Sequence, residues 1–381
     1  MNSVYASLGT TIFETMSRLA TEKGAVNLGQ GFPEEDGPRD ILEAAARATL
    51  DGPNQYPPSR GLADLRQAVA AHYREHQSID LDWQSEITIT SGATEAIAAA
   101  LLAFIEPGDE VILFEPMYDA YLPMVRRAGG VPRIVRLNPP HWRLERETLA
   151  AAFSDKTRLV VINTPHNPCA SVMSREELAM LAELCRVHNA IVVSDEVWEH
   201  VLFDDAQHVS MLEVLRDRTL KIGSAGKMFS LTGWKVGFAC GAAPLMEVFS
   251  KAHQFLTFTT PPNLQRAVAY ALGKDRAYFD AMRAGFQRSR DRLVSALDGE
   301  GFVLLPAKGA YFVSIDLAAS GIAMSDEAFA KQAIEHGVAT IPVSAFYANP
   351  NPPALARLCF AKRDDTLDRG AEALIRAKRA L

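Results

Sequence analysis

Lys227 is the side chain of this sequence with the clearest chemical use. It lies in Ser224-Ala225-Gly226-Lys227-Met228-Phe229, and a second lysine, Lys235, follows across Gly233-Trp234. Thr219–Ile222 reads as a short strand before it and Trp234–Gly241 as another after it. That places Lys227 in a loop between strands, where an amine held neutral can attack an aldehyde. A nucleotide phosphate loop is excluded, because it needs glycine where this chain has Lys221 and Ser or Thr where it has Met228. A lone Gly-Lys is equally the mark of a solvated loop, so the chemistry depends on what else the chain supplies.

Other segments supply complementary groups. They are Ser91-Gly92-Ala93-Thr94-Glu95, Glu115-Pro116-Met117-Tyr118, Asn163-Thr164-Pro165-His166-Asn167-Pro168 and Asp195-Glu196-Val197-Trp198. Each follows a predicted strand: 87–90, 110–114, 158–163 and 190–194, with a further strand at 220–223. Apolar runs such as Leu159–Ile162 and Ile191–Val193 mark central strands buried on both faces. Alternation with helical stretches predicts a mainly parallel, doubly wound α/β domain whose ligand groups sit at the strand carboxyl ends. A helix opening after the small-residue turn at Gly92 would offer free N–H groups to a phosphate, although the same residues make an ordinary cap.

Beyond residue 276 the pattern changes. A long helix, Arg276 to about Leu297, leads into short strands at 303–305 and 310–315, a helix from Ser325 to Gly337, a strand at 355–361 and a last helix. This reads as a smaller α+β domain. The N-terminal arm, with Ile12, Phe13, Met16 and Leu19 on one helical face and Thr10 or Thr11 as cap, is expected to join it. The expected division is arm 1–40, large domain 41–280 and small domain 281–381. The loop Asn27–Pro33 is glycine-rich without a dinucleotide fingerprint, and its glycines would let backbone approach a ligand.

Composition bounds the function class. The 381 residues are 48% hydrophobic and 22% charged with net charge −7, which suits a soluble protein and argues against nucleic-acid or anionic-membrane surfaces. The four cysteines, Cys169, Cys185, Cys240 and Cys359, lack C-x-x-C spacing, and no metal motif is present, so no metal site is expected. The longest apolar run, Ala96–Ile105, is too short to span a bilayer, which takes about 20 residues. Without a signal-peptide pattern, the expected location is cytoplasmic.

From Thr10 to Lys362 the chain resembles the fold-type I pyridoxal-phosphate aminotransferases, class I/II. The set Asn163…Asn167-Pro168, Asp195-Glu196-Val197 and Ser224-x-x-Lys227…Gly233-x-Lys235-x-Gly237 carries this resemblance. Thr10–Phe13, Leu28–Pro33, Thr232–Lys235 and Arg357–Phe360 look most like bacterial methionine aminotransferases of the kynurenine/glutamine transaminase branch. The family fold is a large domain with a mainly parallel seven-stranded sheet between helices, plus a smaller α+β domain.

The resemblance also implies roles. Lys227 and Asp195 would be catalytic, Lys227 bonding pyridoxal 5'-phosphate and moving a proton, and Asp195 pairing with the ring nitrogen. Asn167 and Trp198 would face the ring oxygen, and Tyr118 would stack on the ring unless Tyr121 takes that place. Gly92, Ala93, Thr94, Ser224 and Lys235 would cradle the phosphate, reached also by Tyr56 of the other subunit of a homodimer with shared active sites. Arg357 would grip the substrate carboxylate, with Phe13, Gly31, Asn167 and Phe312 around it. Two positions depart from the family pattern: Trp198 replaces a tyrosine, and Ala170 replaces a glycine, which suggests a turn without positive φ. The expected activity is transfer of an amino group from a neutral or aromatic L-amino acid (methionine, glutamine, phenylalanine or kynurenine-like) to a 2-oxo acid. A C–S β-lyase on the same cofactor is the alternative. Arg60, near Tyr56 in sequence, stays open as a grip for a side-chain carboxylate.

Overall fold

The computed structural model describes residues 1–381. Thirteen strands form three sheets: β1 (Val26–Asn27), β2 (Ile87–Thr90), β3 (Glu110–Glu115), β4 (Val131–Arg136), β5 (Thr157–Asn163), β6 (Ile191–Asp195), β7 (Thr219–Ser224), β8 (Gly237–Gly241), β9 (Val303–Leu304), β10 (Phe312–Asp316), β11 (Val338–Ala339), β12 (Ile341–Pro342) and β13 (Leu355–Cys359). The central sheet has the order β2-β8-β7-β6-β5-β3-β4. All its pairings are parallel except those of β8, which runs antiparallel to β2 and β7.

The apolar runs explain the centre of this sheet. Leu159, Val160, Val192, Val193, Leu220 and Ile222 are fully buried under helices on both faces. Each such side chain contributes about 1.5–3 kcal/mol on burial. The edge strand β4 has no sequence forecast. Its sequence, Val-Pro-Arg-Ile-Val-Arg, is half exposed, and its proline is tolerable only because the strand lies at an edge.

Two local expectations need correction. Trp234–Gly241 is not one strand: Thr232–Trp234 forms a 3-10 turn, Lys235 takes a left-handed conformation (φ 53°), and β8 starts only at Gly237. Lys227 lies not in a loop but in a short helix, Ala225–Met228, that caps the end of β7. The reason is the same in both cases. The chain must turn tightly here to bring Lys227 and Lys235 to one side of the sheet.

The helix Gly92–Phe104 follows β2. Its alanines at 96, 99 and 100 are fully buried, and small side chains let it lie close against β6, β7 and β8. A Cβ on Gly237 would sit 2.8 Å from the Gly92 carbonyl carbon, so the strand can pass this close to the helix start only as glycine. The second sheet, β12-β13-β10-β9, is antiparallel. The arm helix Ile12–Lys23, capped by Thr11 at its start and by Gly24 (φ 62°) at its end, leads to β1, which pairs with β11.

Candidate active site

The carboxyl ends of β5, β6 and β7 and the start of the helix Gly92–Phe104 enclose a cavity of about 200 Å³. Gly92, Ala93, Thr94, Tyr118, Asn167, Asp195, Trp198, Ser224, Lys227 and Lys235 all line it. Residues from six separated segments thus converge because the parallel topology delivers the crossovers to one sheet end.

Asp195 ends β6. Its carboxylate accepts from the Tyr121 hydroxyl at 2.5 Å and from the Val197 N–H at 3.4 Å, but no cation lies within ion-pair distance. Burial pushes its pKa up to about 6, against the Tyr121 bond, the Val197 amide and Lys227. The Lys227 amine is likewise buried, and its pKa is pushed down to about 8 by burial, against the pull of Cys359 and Asp195. It donates to the Tyr311 hydroxyl at 3.2 Å and lies 4.5 Å from the Trp198 ring centre.

Opposite these groups, the first amides of the helix Gly92–Phe104 face Lys235. Gly92 has φ 76°, and a Cβ there would meet Lys235 Cε at 3.1 Å. Lys235 makes no ion pair, so a helix N-terminus, an ammonium and the Ser224 hydroxyl converge without an anion among them. Asn163 braces the floor. Its amide donates to the Asp195 carbonyl at 2.9 Å, and its oxygen accepts the Asn167 N–H at 2.8 Å.

Arg357 lies beside this cavity, in the middle of β13 and only 1% exposed. It donates to Asn167 Oδ1 at 2.7 Å and to the Gly29 carbonyl at 3.0 Å, while its Nε has no partner. Phe312 covers the guanidinium at 4.1 Å, with Phe346 at 5.2 Å and Phe13 at 5.4 Å. Gly31 closes the same nest: a Cβ there would lie 3.0 Å from Phe312 and 3.9 Å from Arg357 Nη2. With no carboxylate paired to it, burial lowers the guanidinium's pKa to about 10.

These donor sets fit pyridoxal 5'-phosphate. A buried carboxylate short of a cation suits a protonated ring nitrogen. A helix start with an unpaired lysine suits a phosphate, and an amine whose pKa burial has lowered suits an aldehyde.

Ala170 departs from expectation, Arg60 is engaged elsewhere, and Tyr56, expected to serve the other subunit's site, does not enter that of its own chain. Tyr56 is outside the cavity, 84% exposed, and packs edge-on against Phe258 at 5.5 Å. Arg60 points away, donating to the carbonyls of Gln84, Ser85 and Met246. Ala170 has φ 57°, which corrects the expectation of an ordinary turn. Its N–H bonds the His166 carbonyl and its own carbonyl accepts from Lys308 and Gly309. These three bonds hold the left-handed conformation against a cost of about 1–2 kcal/mol.

Tyr121 does not replace Tyr118 but binds Asp195, while Tyr118 lines the cavity. Tyr311 and the bracing role of Asn163 went unassigned in sequence, and Tyr121 was weighed only as a ring-stacking residue. The one available signal was a polar residue at the edge of an apolar strand, Asn163 at the end of β5 and Tyr311 just before β10.

Behind the cavity lies a second charged cluster. Lys221 Nζ bonds Glu196 and, at 2.7 Å, Glu199. His208 joins Glu196 at 2.7 Å, and the Tyr73 hydroxyl donates to Glu199 at 3.0 Å. Glu196, Glu199 and His208 lie close enough to suggest a metal, but Lys221 already supplies the cation.

The aminotransferase class I and II family matches residues 23–374. Methionine aminotransferase of Escherichia coli strain K12 is 42% identical over 370 residues, covering 96% of each chain. The probable N-succinyldiaminopimelate aminotransferase of Mycobacterium tuberculosis strain H37Rv is 45% identical, covering 94% of each. Kynurenine–oxoglutarate transaminase of Dictyostelium discoideum is 35% identical, covering 98% of this chain and 95% of its own. Crystal structures of an E. coli methionine aminotransferase and of the M. tuberculosis N-succinyldiaminopimelate aminotransferase superpose with TM-scores of 0.95. They are 41% and 43% identical, and cover 99% of this chain and 99% and 100% of their own. None of these relatives supports the lyase alternative. No helix is long and apolar enough to cross a membrane. On these grounds the chain belongs to the class I and II aminotransferases, transferases that work with pyridoxal phosphate.

Proposed function

We propose that this aminotransferase takes its amino group from a neutral L-amino acid with a medium to large side chain, such as methionine, glutamine, phenylalanine or a kynurenine-like donor. The observation that carries this reading is the charge around Arg357. Its guanidinium is the sole arginine in the nest of Phe13, Phe312 and Phe346, and the α-carboxylate common to all donors would use it. Asp119, half-buried beside Tyr118, has no cation within ion-pair distance. Burial pushes its carboxyl up, with Arg357 the chief group pulling it back. A second, distal carboxylate on the donor would find Arg357 taken by the α-carboxylate and Asp119 as a further acidic group acting on that arginine.

Bound pyridoxal phosphate would supply an aldehyde that takes up the amino group and a ring that accepts the electron pair released at Cα. The residues have separate tasks in this reading. Asp195 holds the ring nitrogen protonated. Asn167, fixed by Asn163 and Arg357, positions the ring oxygen, and Tyr118 covers a ring face. Gly92, Ala93, Thr94, Ser224 and Lys235 hold the phosphate. Lys227 Nζ takes the Cα proton from the donor, which requires the neutral amine that its burial favours.

The site is proposed to be completed across a homodimer. Tyr56 and Phe258, together with Phe255 and Leu256, expose apolar surface that a second subunit would cover. The proposed division keeps the arm 1–40 with the small domain 281–381, supported by the pairing of β1 with β11, around a large domain 41–280. Four free, buried cysteines support a reducing compartment such as the cytoplasm.

The test is the visible spectrum of the reconstituted protein mixed with single amino acids. Methionine, glutamine, phenylalanine or kynurenine should discharge the cofactor band. Aspartate and N-succinyldiaminopimelate should leave it. Faster conversion by either acidic donor would refute the substrate class while leaving the family assignment intact.

A further inference from the structure

Tyr311 is fully buried, with its ring wedged against Trp198 (centroids 4.3 Å apart, 85° between planes), Phe312 (5.1 Å) and Phe286 (5.7 Å). Its hydroxyl lies 2.9 Å from the Gly31 carbonyl oxygen and 3.2 Å from Lys227 Nζ, and is the only hydrogen-bond partner of that amine. A phenol carries one proton. A carbonyl can only accept, so that proton belongs to Gly31, and toward Lys227 the phenol oxygen acts only as an acceptor.

The amine must therefore donate to Tyr311. Its other close neighbour is the face of Trp198, 4.5 Å from Nζ to the ring centre. An indole face is the negative side of its quadrupole and attracts N–H, not a lone pair. A neutral amine has two N–H bonds and one lone pair. With one N–H on Tyr311 and the other on Trp198, the lone pair is left unbonded and turns away from both, toward the cavity that Lys227 and Trp198 line.

We propose that Tyr311, wired to Gly31, and Trp198 are positioning residues that present the uncombined Lys227 amine lone-pair-first to the cavity. In this arrangement the lone pair accepts the donor's Cα proton, giving an ammonium, and the amine returns it when the proton is released. Trp198 then does what a tyrosine there could not, since a hydroxyl could hydrogen-bond the lone pair itself. This rests on Lys227 being the proton carrier. Gly31 ties the device to the loop that borders Arg357.

The test is Tyr311→Phe, which keeps the ring and its packing and removes one oxygen. Expected are a fall in kcat of about tenfold with the donor KM changed less than about twofold. Capture of pyridoxal phosphate by the cofactor-free chain, followed by absorbance, should slow by a similar factor. Its pH midpoint should move down, because the lost acceptor stabilised the ammonium. Mere loosening of the site would admit water and move the midpoint up. In Lys227→Ala rescued by methylamine, adding Tyr311→Phe should change the rescued rate by less than about twofold. An unchanged kcat, an upward midpoint or a full tenfold loss in the rescued background would each overturn the proposal. Undiminished activity of Lys227→Ala alone would instead remove the reading on which it rests.

Discussion

Two groups of buried charges lie back to back in this molecule, built from the same residue types and from adjacent sequence. Asp195 and Lys227 face the cavity; Glu196 and Lys221, one and six positions away, face the interior. The interior pair is fully partnered. Glu196 binds Lys221, His208, Ser194, Ser210 and the Met211 N–H, and its pKa is lowered despite complete burial; the Lys221 pKa is raised. The cavity pair has no ionic partner, and both pKa values move toward neutrality. Burial costs the same kind of free energy in both regions. One region recovers it from the chain itself, and the other is left to recover it from a ligand. Depth of burial therefore does not mark a functional charge, whereas burial without a partner does.

The contrast can be broken by deleting one lysine at a time. Lys227→Ala should lower transamination by roughly 10⁴-fold or more, while thermal unfolding stays within a few degrees, because a buried amine without an ion-pair partner contributes little to stability. Lys221→Ala should do the reverse. It strands Glu196 and Glu199 and should cost about 3–5 kcal/mol in denaturant unfolding. Activity per folded molecule should fall far less than for Lys227→Ala. Next in size, Arg357→Lys keeps the charge but loses the fork, and should lower kcat/KM for the donor by about 100-fold.

The smallest effect sharpens the contrast through pH. Buried His72 and His166 have pKa values lowered by desolvation to about 3 and about 4, so the unfolded chain binds protons that the native one refuses. Their neutral forms therefore lose stability as pH falls below the unfolded value of 6.5. The lowered carboxyl of Glu196 adds stability above its unfolded value of 4.5 and loses it as pH falls further. Each group contributes at most about 1.4 kcal/mol per pH unit. Unfolding free energy measured from pH 7 to pH 4 should fall steadily, and a flat profile would contradict these assignments.

The cavity side was legible in sequence because strand ends are. Leu159–Ile162 and Ile191–Val193 announce central strands, and in a parallel sheet whatever follows them must meet at one edge, so Asn167, Asp195 and Lys227 converge. The long helix Arg276–Leu297 was equally plain, with Asp275 as its cap. What stayed hidden depends on partners distant in sequence. Lys221 sits in a short strand whose sequence does not show that it is buried, and its carboxylates lie 22 and 25 residues away. Tyr311 reaches Gly31 across 280 positions, and Tyr121 reaches Asp195 across 74. The left-handed Ala170 was misjudged because a residue type limits φ only where neighbouring bonds do not impose it.

The central claim, that Lys227, buried without an ion-pair partner, is the lysine reserved for pyridoxal phosphate, is tested by reducing the reconstituted protein with borohydride and mapping the label by peptide mass spectrometry. The account predicts a pyridoxyl group on Lys227 alone. A label on Lys221 or Lys235, or a protein that takes up none, would contradict it.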